Sequence, residues 1–96
     1  MPKSKAATKK KSLSPAQIRG TEARYLMNTY RRPPVVFTSG RGCRLYDSQG
    51  REYLDFLGGI AVNALGHAHP RLVRVIRREA GRAIHVSNLF HNPYQA

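Results

Sequence analysis

The sequence predicts an α+β chain: one helix, a three-stranded antiparallel meander, a glycine-hinged connector and an amphipathic helix. Three observations carry that expectation. Side chains alternate between Cys43 and Phe56 on either side of a tight turn at Asp47-Ser48-Gln49-Gly50, the pattern of paired, half-covered strands. Leu72, Ile76, Ala80 and Ile84 recur at every fourth position, which draws one stripe along a helix. Ser14-Pro15 offers a serine N-cap followed by a proline at the first helical position, where its missing N–H costs nothing.

Taken in order, the first helix is expected from Pro15 through Asn28, with Ile18, Tyr25 and Leu26 on a partly apolar face. Gly20 weakens it by about 1 kcal/mol of propensity. Pro33-Pro34 exclude its continuation, because a residue before proline is pushed out of the helical region. Val35 to Thr38 is a β-branched and aromatic run, expected as the first strand, and Ser39-Gly40-Arg41-Gly42 as the turn after it. In the second strand Cys43, Leu45 and Asp47 face one way and Arg44 and Tyr46 the other. Aspartate first and glycine last suit a type I turn at 47–50, and Arg51 to Phe56 returns as the third strand. Gly58-Gly59 frees the backbone for a change of direction, and Ile60 to Leu65 is expected as a single helical turn. The last helix is expected over Arg71 to Ile84 behind His69-Pro70, with Val73 and Ala83 beside the stripe and arginines around it. Residues 85–96 show no period.

Composition narrows the functional classes. At 96 residues the chain is one domain at most, near the lower limit for a self-sufficient core. No apolar run approaches the ~18 residues of a membrane span, and the basic N-terminus lacks the apolar core of a secretory signal. A lone cysteine, Cys43, excludes an internal disulfide and fits a reducing compartment, so a soluble, cytoplasmic protein is expected. The net charge of +12 is uneven. All 5 lysines lie at positions 3, 5, 9, 10 and 11, and every later cation is one of 12 arginines. Residues 1–13 are therefore expected to form a disordered, lysine-rich tail, able at most to cling weakly to phosphate polymers.

Other motifs carry little chemistry. His67, His69, His85 and His91 match no zinc spacing, and His69 is better read as a turn or N-cap residue. Cys43 lacks a local activating partner and is expected to be a small buried strand residue. Neither Gly58-Gly59 nor Gly40-Arg41-Gly42 is a phosphate-binding loop. The arginines of the last helix surround its apolar stripe without interleaved aromatics, which disfavours a nucleic-acid reading face.

At DSQGREYLDFLGGIAVNALGHAHP, residues 47–70, the chain resembles the class III, fold-type I aminotransferases that use pyridoxal phosphate. Tyr25-Leu26-Met27-Asn28-Thr29-Tyr30 and Leu45-Tyr46-Asp47 extend the likeness, as do Glu52-Tyr53-Leu54-Asp55-Phe56 and Gly66-His67-Ala68-His69-Pro70. The run Gly59-Ile60-Ala61-Val62-Asn63, with His85-Val86-Ser87-Asn88-Leu89, points to the acetylornithine branch. The resemblance covers about residues 22–96 and leaves out the lysine-rich start. It implies that residues 14–96 are the N-terminal, small-domain segment of a longer homodimeric enzyme, an incomplete domain. The implied reaction passes an amino group from N-acetylornithine to 2-oxoglutarate in arginine biosynthesis. It also implies that the connector runs along the active-site mouth, which makes Ile60 a candidate substrate contact, with Asn88 a second. No catalytic or cofactor-binding role is carried over. Pyridoxal phosphate chemistry needs a lysine amine held in a packed pocket, and no lysine follows Lys11. A small basic nucleic-acid-binding protein and a non-catalytic interaction module with the same small-domain fold are the rival expectations.

Overall fold

The computed structural model describes residues 12–95; the expected lysine-rich tail lies almost wholly outside the described residues. The chain divides into two units, Met1–Val36 and Phe37–Ala96. In the first, α1 spans Pro15–Tyr25. Ser14 caps it as expected. Its Oγ accepts from the Gln17 amide at 3.2 Å, and Gln17 Oε1 accepts from the Ser14 amide at 2.8 Å. That reciprocal box satisfies two otherwise orphaned donors. The helix stops short of the expected Asn28. Leu26 is already extended, with ψ 144°, and the Asn28-Thr29-Tyr30 run beyond it consists of poor helix formers.

In the second unit the meander forms as expected. Strands β1 (Phe37–Arg41), β2 (Arg44–Asp47) and β3 (Glu52–Leu54) lie in the order β1-β2-β3, antiparallel throughout. The first strand is displaced from its expected place. Phe37 pairs with Asp47, the last residue of β2, so Val35 and Val36 have no ladder partner and lie outside the sheet. The expected turn residues Ser39, Gly40 and Arg41 instead continue β1 as far as the Arg41–Arg44 pair. The register shifts between Phe37 and Ser39, leaving Thr38 as an extra residue of bulge type. Its hydroxyl lies 3.4 Å from the carbonyl oxygens of both Tyr46 and Asp47. The chain reverses at Gly42-Cys43. Cys43 is therefore exposed in a turn, contrary to the expected buried strand position.

The connector also departs from expectation. Its helical turn comes earlier, at Gly58–Ala61, and φ is positive at all four residues: 56°, 66°, 62° and 60°. The last helix, α2, spans Pro70–Ala80. His69 caps it, Nδ1 accepting from the Arg71 amide at 3.2 Å, as the His-Pro start suggested. It ends at Gly81, before the expected Ile84, with the Glu79 carbonyl taking the amides of Arg82 and Ala83. Arg77 and Arg78 occupy its last turn, where positive charge suits the helix dipole. A short 3-10 turn, Pro93–Gln95, follows.

Among the described residues no hydrophobic side chain is buried. Leu72, Val75 and Ile76 of the α2 stripe are exposed, and Phe56 is 95% exposed. The one buried residue among those described is polar, Asp47, at 4% exposure. Local hydrogen bonds, not apolar burial, therefore organise this chain.

Candidate functional site

The first such network is centred on Asp47. Its Oδ1 accepts from the amides of Gln49 and Arg51, both at 2.9 Å, and its Oδ2 from Arg51 Nε at 2.7 Å and the Tyr53 hydroxyl at 3.2 Å. Gly50, with φ 79°, returns its amide to the Asp47 carbonyl at 3.0 Å, so the turn closes on the residue that a positive φ requires. Phe37 packs edge-on against Tyr53 at 5.3 Å on the same face. Burial pushes the Asp47 carboxyl upward, but the Arg51 guanidinium, the two amides and the Tyr53 hydroxyl outweigh it and hold it down at about 2. The network ties the β2–β3 hairpin together through one carboxylate.

A second network anchors the connector. Asp55 follows β3, and its amide donates to the Cys43 carbonyl at 2.8 Å. Its Oδ1 accepts from the amides of Leu57 at 3.0 Å and Gly58 at 2.9 Å, and its Oδ2 meets His67 Nε2 at 2.6 Å. The Gly58 amide, and next the His67 ring, hold this carboxyl below the ordinary carboxylate range. His67 is also bridged through its backbone to Gly42, with N–H to carbonyl distances of 2.8 and 3.0 Å. Gly40 makes room for it: a Cβ there would lie 2.7 Å from His67 Cγ.

Ile60 sits on the loop that this network closes. It is 79% exposed and has φ 62° and ψ 67°. A left-handed backbone costs an L-residue roughly 1–2 kcal/mol, and Ala61 shares that conformation. The turn is held by the amides of Val62 and Asn63, both donating to the Gly58 carbonyl at 2.9 Å. An apolar side chain projecting from a strained backbone is a reason to look for function there.

Asn88 lines a different feature, a cleft of about 510 Å³ between the end of α2 and the 3-10 turn, with Glu79, Arg82, His85, His91 and Tyr94 also on its wall. Glu79 orders it, accepting from the Tyr94 hydroxyl at 2.7 Å and from Arg78 Nε at 2.6 Å. The Tyr94 hydroxyl, and then Arg78, lower the Glu79 carboxyl, and the carboxylate in turn raises the Tyr94 hydroxyl. Ile60 is not on the wall of this cleft, so the two candidate residues are not brought into one pocket.

No described residue is a lysine, so nothing here fits the amine that pyridoxal phosphate requires. Among the described residues no group of three or more His, Cys, Asp and Glu is placed to hold a metal ion. What the arrangement can do is present an apolar contact at Ile60 and, at Asn88, a cleft whose wall mixes polar side chains with apolar ones such as Ile84 and Val86. Sequence reasoning missed the Asp55–His67 pair, which lies twelve residues apart. The signal for half of it was local: an aspartate two and three residues ahead of amides it can accept from, a turn type that aspartate favours.

The residue pattern described as aminotransferase class-III matches residues 25–96. An acetylornithine aminotransferase of Aquifex aeolicus is 54% identical over 71 residues, covering 74% of this chain and 19% of that protein. In solved structures, the acetylornithine aminotransferase of Elizabethkingia anophelis superposes with a TM-score of 0.79 at 27% identity, covering 84% of this chain and 21% of that one. The ornithine aminotransferase of Toxoplasma gondii gives 0.77 at 33% identity, covering 85% and 19%. The chain thus spans about a fifth of the length of the curated relatives it matches.

Proposed function

The chain belongs to the class-III aminotransferase family, and from that premise we propose that it is the amino-terminal portion of an acetylornithine-type aminotransferase. The enzyme transfers an amino group from N-acetylornithine to 2-oxoglutarate, within arginine biosynthesis, as a cytoplasmic homodimer that uses pyridoxal phosphate. The observation that carries this reading is the 54% identity over 71 residues to a protein named for that activity. Residues 14–96 are the segment that joins the enzyme. No helix among the described residues is long and apolar enough to cross a membrane.

The cofactor supplies the electron sink for amino transfer, and the lysine and phosphate contacts that hold it belong to sequence outside this chain. This segment's part is binding and shape. Ile60 offers an apolar surface to the side chain of the amino donor, and Asn88 offers an amide for a polar contact. The exposed stripe of α2 and the exposed face carrying Phe56 support the reading from physics, since both are surfaces that another layer covers in a complete domain.

The direct experiment grafts residues 25–95 in place of the matching segment of the Aquifex aeolicus protein and assays amino transfer from N-acetylornithine to 2-oxoglutarate. Activity is expected in the graft and none in the 96-residue chain alone. A graft that folds and binds pyridoxal phosphate but does not turn over N-acetylornithine refutes the proposal.

A further inference from the structure

We propose that Asp55 and His67 are a positioning pair: they clamp the base of the connector and thereby place Ile60 for contact with the amino donor. The inference rests on the reading of Ile60 given above and extends it to two residues that touch no substrate.

The connector is a loop closed at its base by one side-chain pair. Asp55 uses both carboxylate oxygens, one on the amides of Leu57 and Gly58 and one on the His67 ring at 2.6 Å. The first contact fixes the way into the loop, and the second fixes the way out. The turn between β1 and β2 holds both partners. Asp55 donates to Cys43, and His67 exchanges two backbone bonds with Gly42. The two side chains are sheltered, at 7% exposure for Asp55 and 20% for His67. Gly66 brings the returning segment so close that a Cβ there would lie 2.9 Å from the Gly42 carbonyl oxygen.

Leu57, whose amide Asp55 Oδ1 holds, offers its carbonyl to the amides of Ala61 at 3.4 Å and Ile60 at 2.9 Å, so the carboxylate reaches the backbone of Ile60 through one residue. The side chain of Ile60 is not packed, and its left-handed backbone is one that a β-branched residue avoids unless its surroundings impose it. The amides of Val62 and Asn63 hold the turn together from within, and the backbone bonds of Asp55 and His67 moor its two ends. The Asp55–His67 contact ties those two ends to each other. A small displacement of a positioned group lowers catalysis steeply, so the pair governs how well the donor side chain is met.

The test has two readouts. In the full 96-residue chain, amide hydrogen exchange at Leu57, Gly58, Val62 and Asn63 is compared among wild type, Asp55→Asn, His67→Ala and His67→Gln. Asp55→Asn and His67→Ala are expected to speed exchange on the order of tenfold, the effect of losing a charge-assisted bond. The Gly50 amide of the β2–β3 hairpin is expected to stay unchanged, and His67→Gln, which keeps a side-chain N–H donor, to retain most of the protection. Unprotected connector amides in wild type, or unchanged exchange in His67→Ala, overturn the clamp.

In the complete enzyme carrying the segment, His67→Ala is expected to raise KM for N-acetylornithine on the order of tenfold. KM for 2-oxoglutarate should hold, and His67→Gln should restore most of the donor affinity. Equal rises for both substrates overturn the positioning role and leave a purely structural one. A wild-type enzyme inactive on N-acetylornithine refutes the functional reading instead, and the exchange data then still decide the clamp.

Discussion

Replacing Gly40 by alanine puts a methyl group 2.7 Å from His67 Cγ, 2.8 Å from His67 Cβ and 3.1 Å from the Arg44 carbonyl oxygen. Carbon atoms rest at about 3.5–4.0 Å, so the imidazole must retreat by most of an ångström. It has little freedom to do so, because Asp55 holds the ring and Gly42 holds the backbone on either side. Forcing an extra methyl into such a site costs about 1–3 kcal/mol. Against that, alanine restricts the unfolded chain and returns about 0.4–1 kcal/mol. The net effect is a local loss of about 1–2 kcal/mol, or roughly a 5–30-fold shift in the opening equilibrium. The assay is amide exchange at Gly42 and His67, which bond to each other's carbonyls, in the full chain at low temperature. Exchange faster by that factor, up to the unprotected limit, is expected. Unchanged or slower exchange refutes the reasoning that His67 is fixed against the sheet.

Gly20→Ala is the matched control: nothing lies within 4 Å of the added Cβ, so α1 is expected to gain up to about 1 kcal/mol of helix propensity, read as increased helical circular dichroism. Asp47 sets an acid limit. Its folded carboxyl lies at about 2 against an ordinary 3.8, so its contribution is fully present above about 3.8 and disappears as pH falls toward 2. Exchange at the Gly50 amide, corrected for intrinsic rate, should be flat from neutral pH down to that window and rise within it, and Asp47→Asn should abolish the step. Ile60→Ala, in the complete enzyme, is expected to raise KM for N-acetylornithine by about 10–200-fold, the range for lost apolar contact in a specificity pocket; an unchanged KM removes Ile60 from the donor site.

Much of the fold was legible because its signals are local. Ser14-Pro15 capped a helix, His69-Pro70 capped another, and Asp47 to Gly50 turned between alternating strands, each decided by neighbours in sequence. The misreadings have a common origin in contacts made at a distance. Val35 and Val36 look like strand residues, but the partner strand ends at Asp47. Gly40 resembles a turn residue, yet its smallness serves the approach of His67. The connector's sequence suggests one helical turn over Ile60 to Leu65, but it lies at Gly58–Ala61, and nothing in Ile60-Ala61 announces a positive φ. Gly81 was placed inside the last helix, although glycine is a common terminator there. The candidate site was legible only in part. Ile60 and Asn88 came from family resemblance, and the clamp beneath Ile60 needed the fold to bring Asp55 and His67 together.

The central claim is that this segment is shaped for surfaces supplied by the rest of an aminotransferase. Far-UV circular dichroism of the 96-residue chain through a urea titration tests it most directly, tryptophan fluorescence being excluded by the absence of that residue. With no described hydrophobic side chain buried, local networks at Asp47 and Asp55 can persist without forming a cooperative unit. A broad, shallow loss of signal is expected. A sharp, two-state transition would show that the chain holds a sufficient core of its own, and would contradict the account.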